Sequence, residues 1–351
     1  MQGWDAIAVD PMTLDILVAT HNRGAMLERA VRSVLAARQP GTLSVRVVAI
    51  CNGCTDDSLQ RMRHIMADAP GRVEFIWERR RGKSTALNIG IARSTADLIG
   101  MIDDDEEVDS SWLTVIADAF QDPTLEFIGG PYVPVWRDHQ PDWLPPEYLA
   151  VIGSAEMGPN RRPFGPDFQG ILKGGNAVIR RTALSRVGGY AEELGPGPSQ
   201  RLFSCEDEDM YLRLLESGAR GEYRPDLIIY HHVSAERLTR NYFRQWCFWR
   251  GVSRGIMSPW HPLSVAHVAG VPRFILGLAT RGALSLAADI VRRRTRTERF
   301  RDELRIWDAA GFLYGRHVYG RRAVHPSKRR RPAATPSDDV PARALGDHAN
   351  S

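Results

Sequence analysis

The sequence predicts an α/β fold in which a mixed, mostly parallel β-sheet is flanked by helices and followed by a C-terminal helical extension. In the first half, short β-branched runs alternate with segments whose apolar residues recur at helical spacing. Such alternation is typical of a parallel sheet with helices on its faces. After about residue 238 the pattern becomes helical, and a length of 351 residues allows one large domain or two medium ones.

Four strands can be placed in the first half of the chain, at residues 14–20, 45–50, 73–77 and 97–102. Each is rich in Val, Ile, Leu or aromatic residues, and helix-like segments separate them. Residues 138–170 are rich in Pro and Gly, which predicts a long loop of the kind that covers a binding cleft. Beyond it we predict a strand at 172–181, a helix that begins at Glu206 and ends at Gly218, and a strand that finishes in His231 and His232.

Polar residues follow each of the first four predicted strands. In open sheets of this kind, ligands bind beyond the carboxyl ends of the strands. The clusters are therefore expected to meet at one edge of the sheet, where they form a binding site. They are residues 20–22, residues 52–53, residues 79–83 and the acidic run 103–107.

The acidic run, five consecutive carboxylates after an apolar strand, has two interpretations. Crowded carboxylates repel one another and raise each other's pKa, a cost that a cation removes, and oxygen ligands suit Mg²⁺ or Mn²⁺. The alternative is a solvated acidic loop. A second acid pair, Glu206 and Asp207, opens a helix, where the helix dipole alone could explain it or where a carboxylate could act as a base. His231 and His232 add a candidate metal ligand, of which only one can face the cleft.

The basic charge of the chain is concentrated near its C-terminus. The net charge is +4, but residues 292–331 hold 14 Arg or Lys against 4 Asp or Glu. Such a block fits phospholipid, nucleic acid or simply water. Residues 263–291 are interrupted by charged side chains, so no membrane span is predicted. The N-terminus has no recognisable signal peptide, and the four cysteines, including Cys51 and Cys54, are expected to be free thiols in a reducing cytosol.

Five segments together resemble family 2 of the inverting glycosyltransferases and span residues 14–233. The glycine, lysine and serine at 82–84 do not form a P-loop, because Trp77 stands where its first glycine would be. The resemblance implies a GT-A type, Rossmann-like fold and transfer of a sugar from a nucleoside-diphosphate sugar with a divalent cation. The segments are "ILVATHNRGAMLERAVRSVL", "VVAICNGCTDDS", "RRGKSTALNIGIARSTADLIGMIDDDEEVDSSWL", "GGNAVIRRTALSRVGGYAEELG" and "CEDEDMYLRLLESG".

The resemblance also implies roles for individual residues. Asp105 would bind the cation that bridges the donor diphosphate, with Asp103 at the ribose or the metal. Asp207 would be the base that deprotonates the acceptor hydroxyl. The implied sets are Asp207 and Glu206 for catalysis; Asp105, Asp103 and His231 for the metal; and Thr20, His21, Asn22, Arg23, Asn52, Arg81, Lys83, Asp103, Asp104, Gly174 and Gly175 for the donor.

One position departs from the family pattern. Relatives usually carry an Asp where this chain has Cys51, and that Asp recognises the nucleobase. A thiol is a weak hydrogen-bond partner, so Asn52 or Asp56 could substitute, and the identity of the base stays open. The Q-x-x-R-W of processive synthases is also absent near Trp246, which favours a single transfer over polymerisation.

The resemblance divides the chain into segments with separate roles. Residues 1–12 form an N-terminal extension, 13–110 the nucleotide-sugar-binding half, 111–237 the acceptor-binding half, 238–322 a helical region and 323–351 a disordered basic tail. The expected acceptor is a saccharide, a lipid-linked molecule or a small molecule, and the expected location is the cytoplasm, with contact at the inner face of the membrane left open.

Two other function classes remain as alternatives. A sugar-nucleotide nucleotidyltransferase usually shows a glycine-rich loop after the first strand, where this chain has "THNRGAM". A non-enzymatic protein that binds nucleic acid through residues 292–331 would leave the acidic run unexplained, which makes nucleic acid the less favoured partner.

Overall fold

The computed structural model describes residues 10–136, 139–197, 201–288 and 295–320. The predicted tail at 323–351 and the first nine residues of the predicted N-terminal extension lie outside these ranges, as do nine of the 14 basic residues of the block at 292–331. The strands are β1 Met12–Thr20, β2 Leu43–Asn52, β3 Val73–Glu78, β4 Leu98–Asp103, β5 Glu106–Val108, β6 Phe127–Gly129, β7 Tyr132–Trp136, β8 Arg162–Pro163, β9 Ala177–Arg180, β10 Gly221–Tyr223, β11 Ile229–Val233, β12 His267–Val268 and β13 Val271–Pro272. The α-helices are α1 Gly24–Ala36, α2 Ser58–Asp68, α3 Lys83–Arg93, α4 Trp112–Ala119, α5 Arg181–Val187, α6 Glu206–Glu216, α7 Arg240–Met257, α8 Arg273–Ala288 and α9 Arg296–Tyr314.

The main sheet has eight strands in the order β3-β2-β1-β4-β9-β6-β10-β8. The first four pair in parallel, so their carboxyl ends share one edge: Thr20 is opposite Cys51, and Ala19 is opposite Asp103. Strand β9 runs antiparallel between β4 and β6, which makes the sheet mixed. The predicted α/β class and the predicted edge are both confirmed. The reason is that β1, β2 and β4 are largely apolar and are buried on both faces by the two main cores.

A second sheet has three strands in the order β5-β11-β7, and the last two acids of the run lie in its strand β5. The chain turns after Asp103 and re-enters extended structure at Glu106, which is opposite His231 on the antiparallel β11. Strand alternation then directs successive side chains to opposite faces, so Glu106 is buried while Glu107 is partly exposed. The five carboxylates therefore do not form one loop.

The second half differs from prediction at the two glycines. We expect residues 172–181 to form one strand, but Gly174–Asn176 form a 3-10 turn and the strand begins at Ala177. The Asn176 amide donates to the carbonyl oxygens of Pro131 and Leu227, and its Oδ1 accepts from the Trp112 indole N–H. These three bonds hold the turn against the neighbouring segments. The pairing of β9 with β4 and β6 therefore begins only at Ala177, after the turn.

The expectation of four free thiols is wrong for one pair. Cys51 and Cys54 form a disulfide, whereas Cys205 and Cys247 are free and buried. Gly53, between the paired cysteines, has a φ of +68°. This left-handed conformation, which glycine adopts readily, turns the chain sharply at the end of β2 and brings the two sulfur atoms together.

The predicted C-terminal helical region is present as α7, α8 and α9, with the small β12–β13 hairpin between α7 and α8. Glycines allow α7 and α9 to approach closely: a Cβ added to Gly251 would lie 2.1 Å from the Asp308 carbonyl oxygen. In the described part of the chain, no helix combines the length and the apolar composition needed to span a bilayer.

Helix α6, which carries the acid pair at its N-terminus, is anchored by a buried ionic network. Asp209 is 0% exposed and accepts from the Arg213 guanidinium at 2.7 Å and 3.0 Å. His261, at the end of the α7 segment, contacts the other carboxylate oxygen at 3.0 Å. Asp209 therefore ties the helical region to the helix that positions Asp207.

We predict that Asp209→Ala lowers the free energy of unfolding by about 3 kcal/mol, because it removes the buried carboxylate that Arg213 and His261 share. The matched control is Asp57→Ala, which removes an exposed ion pair with Arg61 and should cost less than about 1 kcal/mol. Urea denaturation of both variants measures the difference. Equal losses in the two variants would contradict an anchoring role for Asp209.

Candidate active site

Each of the first three acids of the run is paired with a cation from a different element. Lys83 Nζ, at the start of α3, lies 2.6 Å from Asp103. The guanidinium of Arg23, after β1, donates to Asp104 at 3.0 Å and to Asp105 at 3.3 Å. Arg237, after β11, donates to Asp105 at 3.0 Å, and Thr20 donates its hydroxyl to Asp104 at 2.8 Å.

The cations decide which of the buried carboxylates stay ionised. Burial raises the pKa of Asp104 to about 6, although Arg23 opposes the shift. Burial would also raise the pKa of Asp105, but Arg237, His231 and Arg23 outweigh it and hold the pKa below its ordinary value. Burial and the neighbouring aspartates raise the pKa of Glu106 well above its ordinary range. Asp105 is therefore the buried acid of this group that is best kept as an anion.

The cluster has the composition and size of a divalent metal site. Oxygen atoms of Asp103, Asp105 and Glu106 all lie within 4.8 Å of one another. Glu106 Oε1 is buried and has no hydrogen-bond partner among the described residues, so one ligand oxygen remains free. Carboxylate oxygens are the ligands that Mg²⁺ and Mn²⁺ favour, and the residues present fit such an ion.

His231 lies beside this cluster, whereas His232 does not. The Nε2 atom of His231 is 3.6 Å from Asp105 Oδ1 and accepts a hydrogen bond from Arg237 at 3.2 Å. Burial lowers the pKa of His231, which favours the neutral ring that a metal requires. His232 instead pairs with Glu107 at 2.5 Å on the other face of the strand.

The turn formed by Gly174 and Gly175 separates the acidic cluster from the second acid pair. A Cβ added to Gly174 would lie 2.1 Å from Asp207 Oδ1, and one added to Gly175 would lie 2.4 Å from Glu106 Oε1. Only glycine allows backbone this close to both carboxylates. Asp207 Oδ1 and Glu106 Oε1 are both buried without a partner in the described residues. The turn therefore has a free carboxylate oxygen on each side.

Lysines moderate the charge of the second acid pair. Burial raises the pKa of Asp207, and Lys83 is the strongest opposing influence. Burial and Asp207 together raise the pKa of its neighbour Glu206 to about 8. Burial lowers the pKa of Lys173 to about 8, against the pull of Asp207 and Glu106. Lys83 interacts electrostatically with both Asp103 and Asp207, so one cation lies close to both the acidic cluster and the second acid pair.

The remaining predicted donor residues lie along the carboxyl edge of β1–β3. The Asn52 side-chain oxygen Oδ1 accepts from the Gly82 N–H at 2.7 Å, and the backbone carbonyl oxygen of Asn52 lies 2.7 Å from His21 Nδ1. Asn22 accepts from the Thr55 N–H at 2.6 Å, and Arg81 packs over Gly53. All the predicted site residues are thus brought to one region. Asp56, one of the two suggested substitutes at the nucleobase, is already bonded to the N–H groups of Gly24 and Ser58.

Sequence reasoning missed three residues of this site. Glu106 was passed over as one more acid of the run, although strand alternation could have placed it on the inner face. Lys173 directly precedes the two glycines, and its position was the available signal. Arg237 follows the strand that ends in His232 and Val233, and no pattern in the sequence connects it with Asp105.

The chain is similar to known proteins of one family. Residues 15–188 match the model of glycosyl transferase family 2. The chain is 24% identical over 257 residues to the glucosyl-dolichyl phosphate glucuronosyltransferase of Haloferax volcanii, covering 72% of this chain and 79% of that protein. It is 30% identical over 220 residues to the succinoglycan biosynthesis protein ExoU of Rhizobium meliloti, covering 61% and 60% of the two chains.

A solved structure shows the same architecture. The mannosyltransferase PcManGT from Pyrobaculum calidifontis, in complex with GDP-Man and Mn²⁺, superposes with a TM-score of 0.57 at 17% identity over 90% of each chain. The shared feature is the fold, with its mostly parallel sheet flanked by helices. The chain therefore belongs to glycosyl transferase family 2, and it is a glycosyltransferase with the GT-A fold.

Proposed function

We propose that the protein is a metal-dependent inverting glycosyltransferase that moves one sugar from a nucleoside-diphosphate sugar to an acceptor hydroxyl. The observation that carries the proposal is the placement of the Asp103–Glu106 cluster and Asp207 on either side of the Gly174–Gly175 turn. The cluster would hold the donor diphosphate, and the turn would accommodate the donor sugar. Asp207 would then face the acceptor.

Asp105 and Asp103 would hold a Mg²⁺ or Mn²⁺ ion, with His231 and Glu106 beside it. When bound, such an ion neutralises charge on a leaving diphosphate. Lys83 and Arg23 add positive charge at the same edge, and PcManGT carries Mn²⁺ and GDP-Man in its solved structure. Residues 13–110 would then form the donor half and residues 111–237 the acceptor half.

Asp207 would act as the base in a single displacement. Its free Oδ1 takes the acceptor hydroxyl proton as that oxygen bonds to the anomeric carbon. The bond from the anomeric carbon to the diphosphate oxygen breaks at the same time, and its electron pair leaves with the nucleoside diphosphate. Attack from the face opposite the leaving group inverts the anomeric configuration. Glu206, with its pKa raised to about 8, would remain protonated and support Asp207.

The relatives suggest the class of acceptor. The names of two of them refer to a dolichyl phosphate sugar and to succinoglycan, which supports a place in polysaccharide, glycolipid or glycoconjugate biosynthesis of the cell envelope. The acceptor would be a saccharide or a lipid-linked sugar, reached from the inner face of the membrane. A panel of nucleoside diphosphates in a thermal-shift assay, with and without Mn²⁺, would identify the nucleobase as the one that raises Tm only with the metal.

We predict that Asp207→Asn lowers kcat by about 10²–10⁴, because the amide cannot accept the acceptor proton. Donor affinity should stay unchanged, since the substitution preserves shape. The assay is release of nucleoside diphosphate from the sugar nucleotide with acceptor present, and release of pyrophosphate would instead indicate a nucleotidyltransferase. Glu208→Gln, one residue along the same helix turn, is the matched control. Full turnover in Asp207→Asn would refute the assignment.

The activity should fall on the acidic side of its pH profile at a pH above the ordinary aspartate pKa of about 3.9. Burial raises the pKa of Asp207, and a base works only when it is ionised. Activity is therefore lost as pH falls through that raised pKa. A plot of log kcat against pH gives the position of the limb. An acidic limb at or below the ordinary aspartate pKa would contradict the assignment of Asp207 as the base.

We predict that Asp105→Asn weakens Mn²⁺ binding by about 10- to 100-fold, because one anionic ligand is lost. Titration of Mn²⁺ by electron paramagnetic resonance, with nucleoside diphosphate present, measures it without relying on turnover. Glu107→Gln is the control, since Glu107 pairs with His232 on the opposite strand face. Unchanged Mn²⁺ affinity in Asp105→Asn would exclude Asp105 as a ligand.

A further inference from the structure

The segment that links α7 to the end of α8 has an unusual charge pattern. Residues 261–288 contain no Asp or Glu, although the whole chain carries 42 acidic residues among 351. The same segment contains Arg273, Arg281, His261 and His267. Its surface therefore has no negative side chain of its own to repel an anionic partner.

The same segment exposes large apolar side chains to solvent. In the β12–β13 hairpin and the residues before it, Leu263, Val265 and Val268 are 51%, 46% and 52% exposed. In α8, Phe274 is 42% and Leu284 is 66% exposed. The backbone N–H of Arg273 bonds to the Ala266 carbonyl oxygen, so the hairpin adjoins the start of α8. We call these five apolar residues, with Arg273 and Arg281, the docking face.

Helix α8 is amphipathic in the described structure. Its inner side packs on α9 through Ile275 and Gly282, and a Cβ added to Gly282 would lie 3.0 Å from the Asp302 carbonyl oxygen. Phe274, Arg281 and Leu284 are seven and three residues apart, which places them on one side of a helix. That side faces away from α9, and it combines apolar groups with a cation.

Cations surround the apolar part of the docking face. Arg273 and Arg281 are exposed on α8. A Cβ added to Gly270 would lie 3.3 Å from an Arg316 guanidinium nitrogen, so a third arginine lies against the hairpin turn. Asp302, on the adjoining α9, is only 4% exposed and bonds to Arg305. Within the described residues 261–288, apolar side chains lie beside arginines and no Asp or Glu is present, a combination that complements a surface of apolar chains and phosphates.

We propose that the docking face lies on the surface of an anionic phospholipid membrane, with α8 parallel to it and its apolar side chains among the headgroups. A symmetric contact with a second copy is disfavoured because it would bring two acid-free, arginine-bearing faces together. Nucleic acid is disfavoured because Leu284 and Val268 offer it no polar contact. The inference extends the proposed function, on which it rests only for the expectation of a membrane-bound acceptor.

The test is flotation of the full chain with vesicles of phosphatidylcholine alone and of phosphatidylcholine mixed with phosphatidylglycerol. We expect binding to the mixed vesicles, weakened by high salt. The double variant Arg273→Glu/Arg281→Glu should lower the affinity by about tenfold or more. Phe274→Ser/Leu284→Ser should lower it by a similar factor, because two apolar side chains no longer enter the interface.

Matched controls change the same residue types elsewhere on the surface. Arg29→Glu/Arg63→Glu reverses two exposed charges on α1 and α2, and Val133→Ser removes an exposed apolar group on β7. These variants should bind vesicles like the original chain, and unchanged Tm values would show that all variants fold. Absence of vesicle binding by the original chain, or equal binding by all variants, would overturn the proposal.

Two further outcomes would assign the face to another partner. Self-association in light scattering that the Phe274→Ser/Leu284→Ser variant abolishes would identify a second copy as its partner and overturn the proposal. Salt-sensitive binding to RNA but not to vesicles would do the same in favour of nucleic acid. Vesicle binding needs no donor, so its failure is distinguishable from failure of the proposed function, which is measured as nucleoside diphosphate release on a water-soluble acceptor.

Discussion

The structure depends on keeping buried carboxylates charged at the end of a hydrophobic sheet. Asp104 and Asp105 are each 6% exposed, and burial alone would drive both to the neutral form. Lys83, Arg23 and Arg237 offset that cost from three separate parts of the chain. The pair between Arg237 and Asp105 also joins the segment after β11 to the end of the first sheet.

The second constraint is the space left by the Gly174–Gly175 turn. A side chain at either position would collide with Asp207 or Glu106, so glycine is a condition for bringing the two carboxylates to one backbone segment. Asn176 fixes the turn through three buried hydrogen bonds. As a result, Glu106 Oε1 and Asp207 Oδ1 are buried without a hydrogen-bond partner among the described residues. Buried polar atoms in a packed core are normally hydrogen-bonded, so these two atoms indicate a site that binds a ligand.

The C-terminal helical region contacts helix α6 on one side and exposes a distinct surface on the other. His261, just after α7, contacts Asp209 inside α6, so the helical region reaches the element that carries Asp207. Helix α8 buries only its inner side, against α9. The remaining side carries Leu284 and Arg281 into solvent, a combination that a packed globular surface does not require.

The sequence by itself determined the α/β class, the presence of the first four strands and the edge at which the site lies, because apolar runs and the polar residues after them are local signals. It could not separate Glu106 from Glu107, connect Arg237 with Asp105, or pair Cys51 with Cys54. Those relations join residues on different elements or depend on which way a strand faces. The packing of the second sheet against the first decided the positions of Glu106 and Arg237, since a charge becomes buried and a partner becomes near only when distant segments meet. The left-handed turn at Gly53 decided the disulfide.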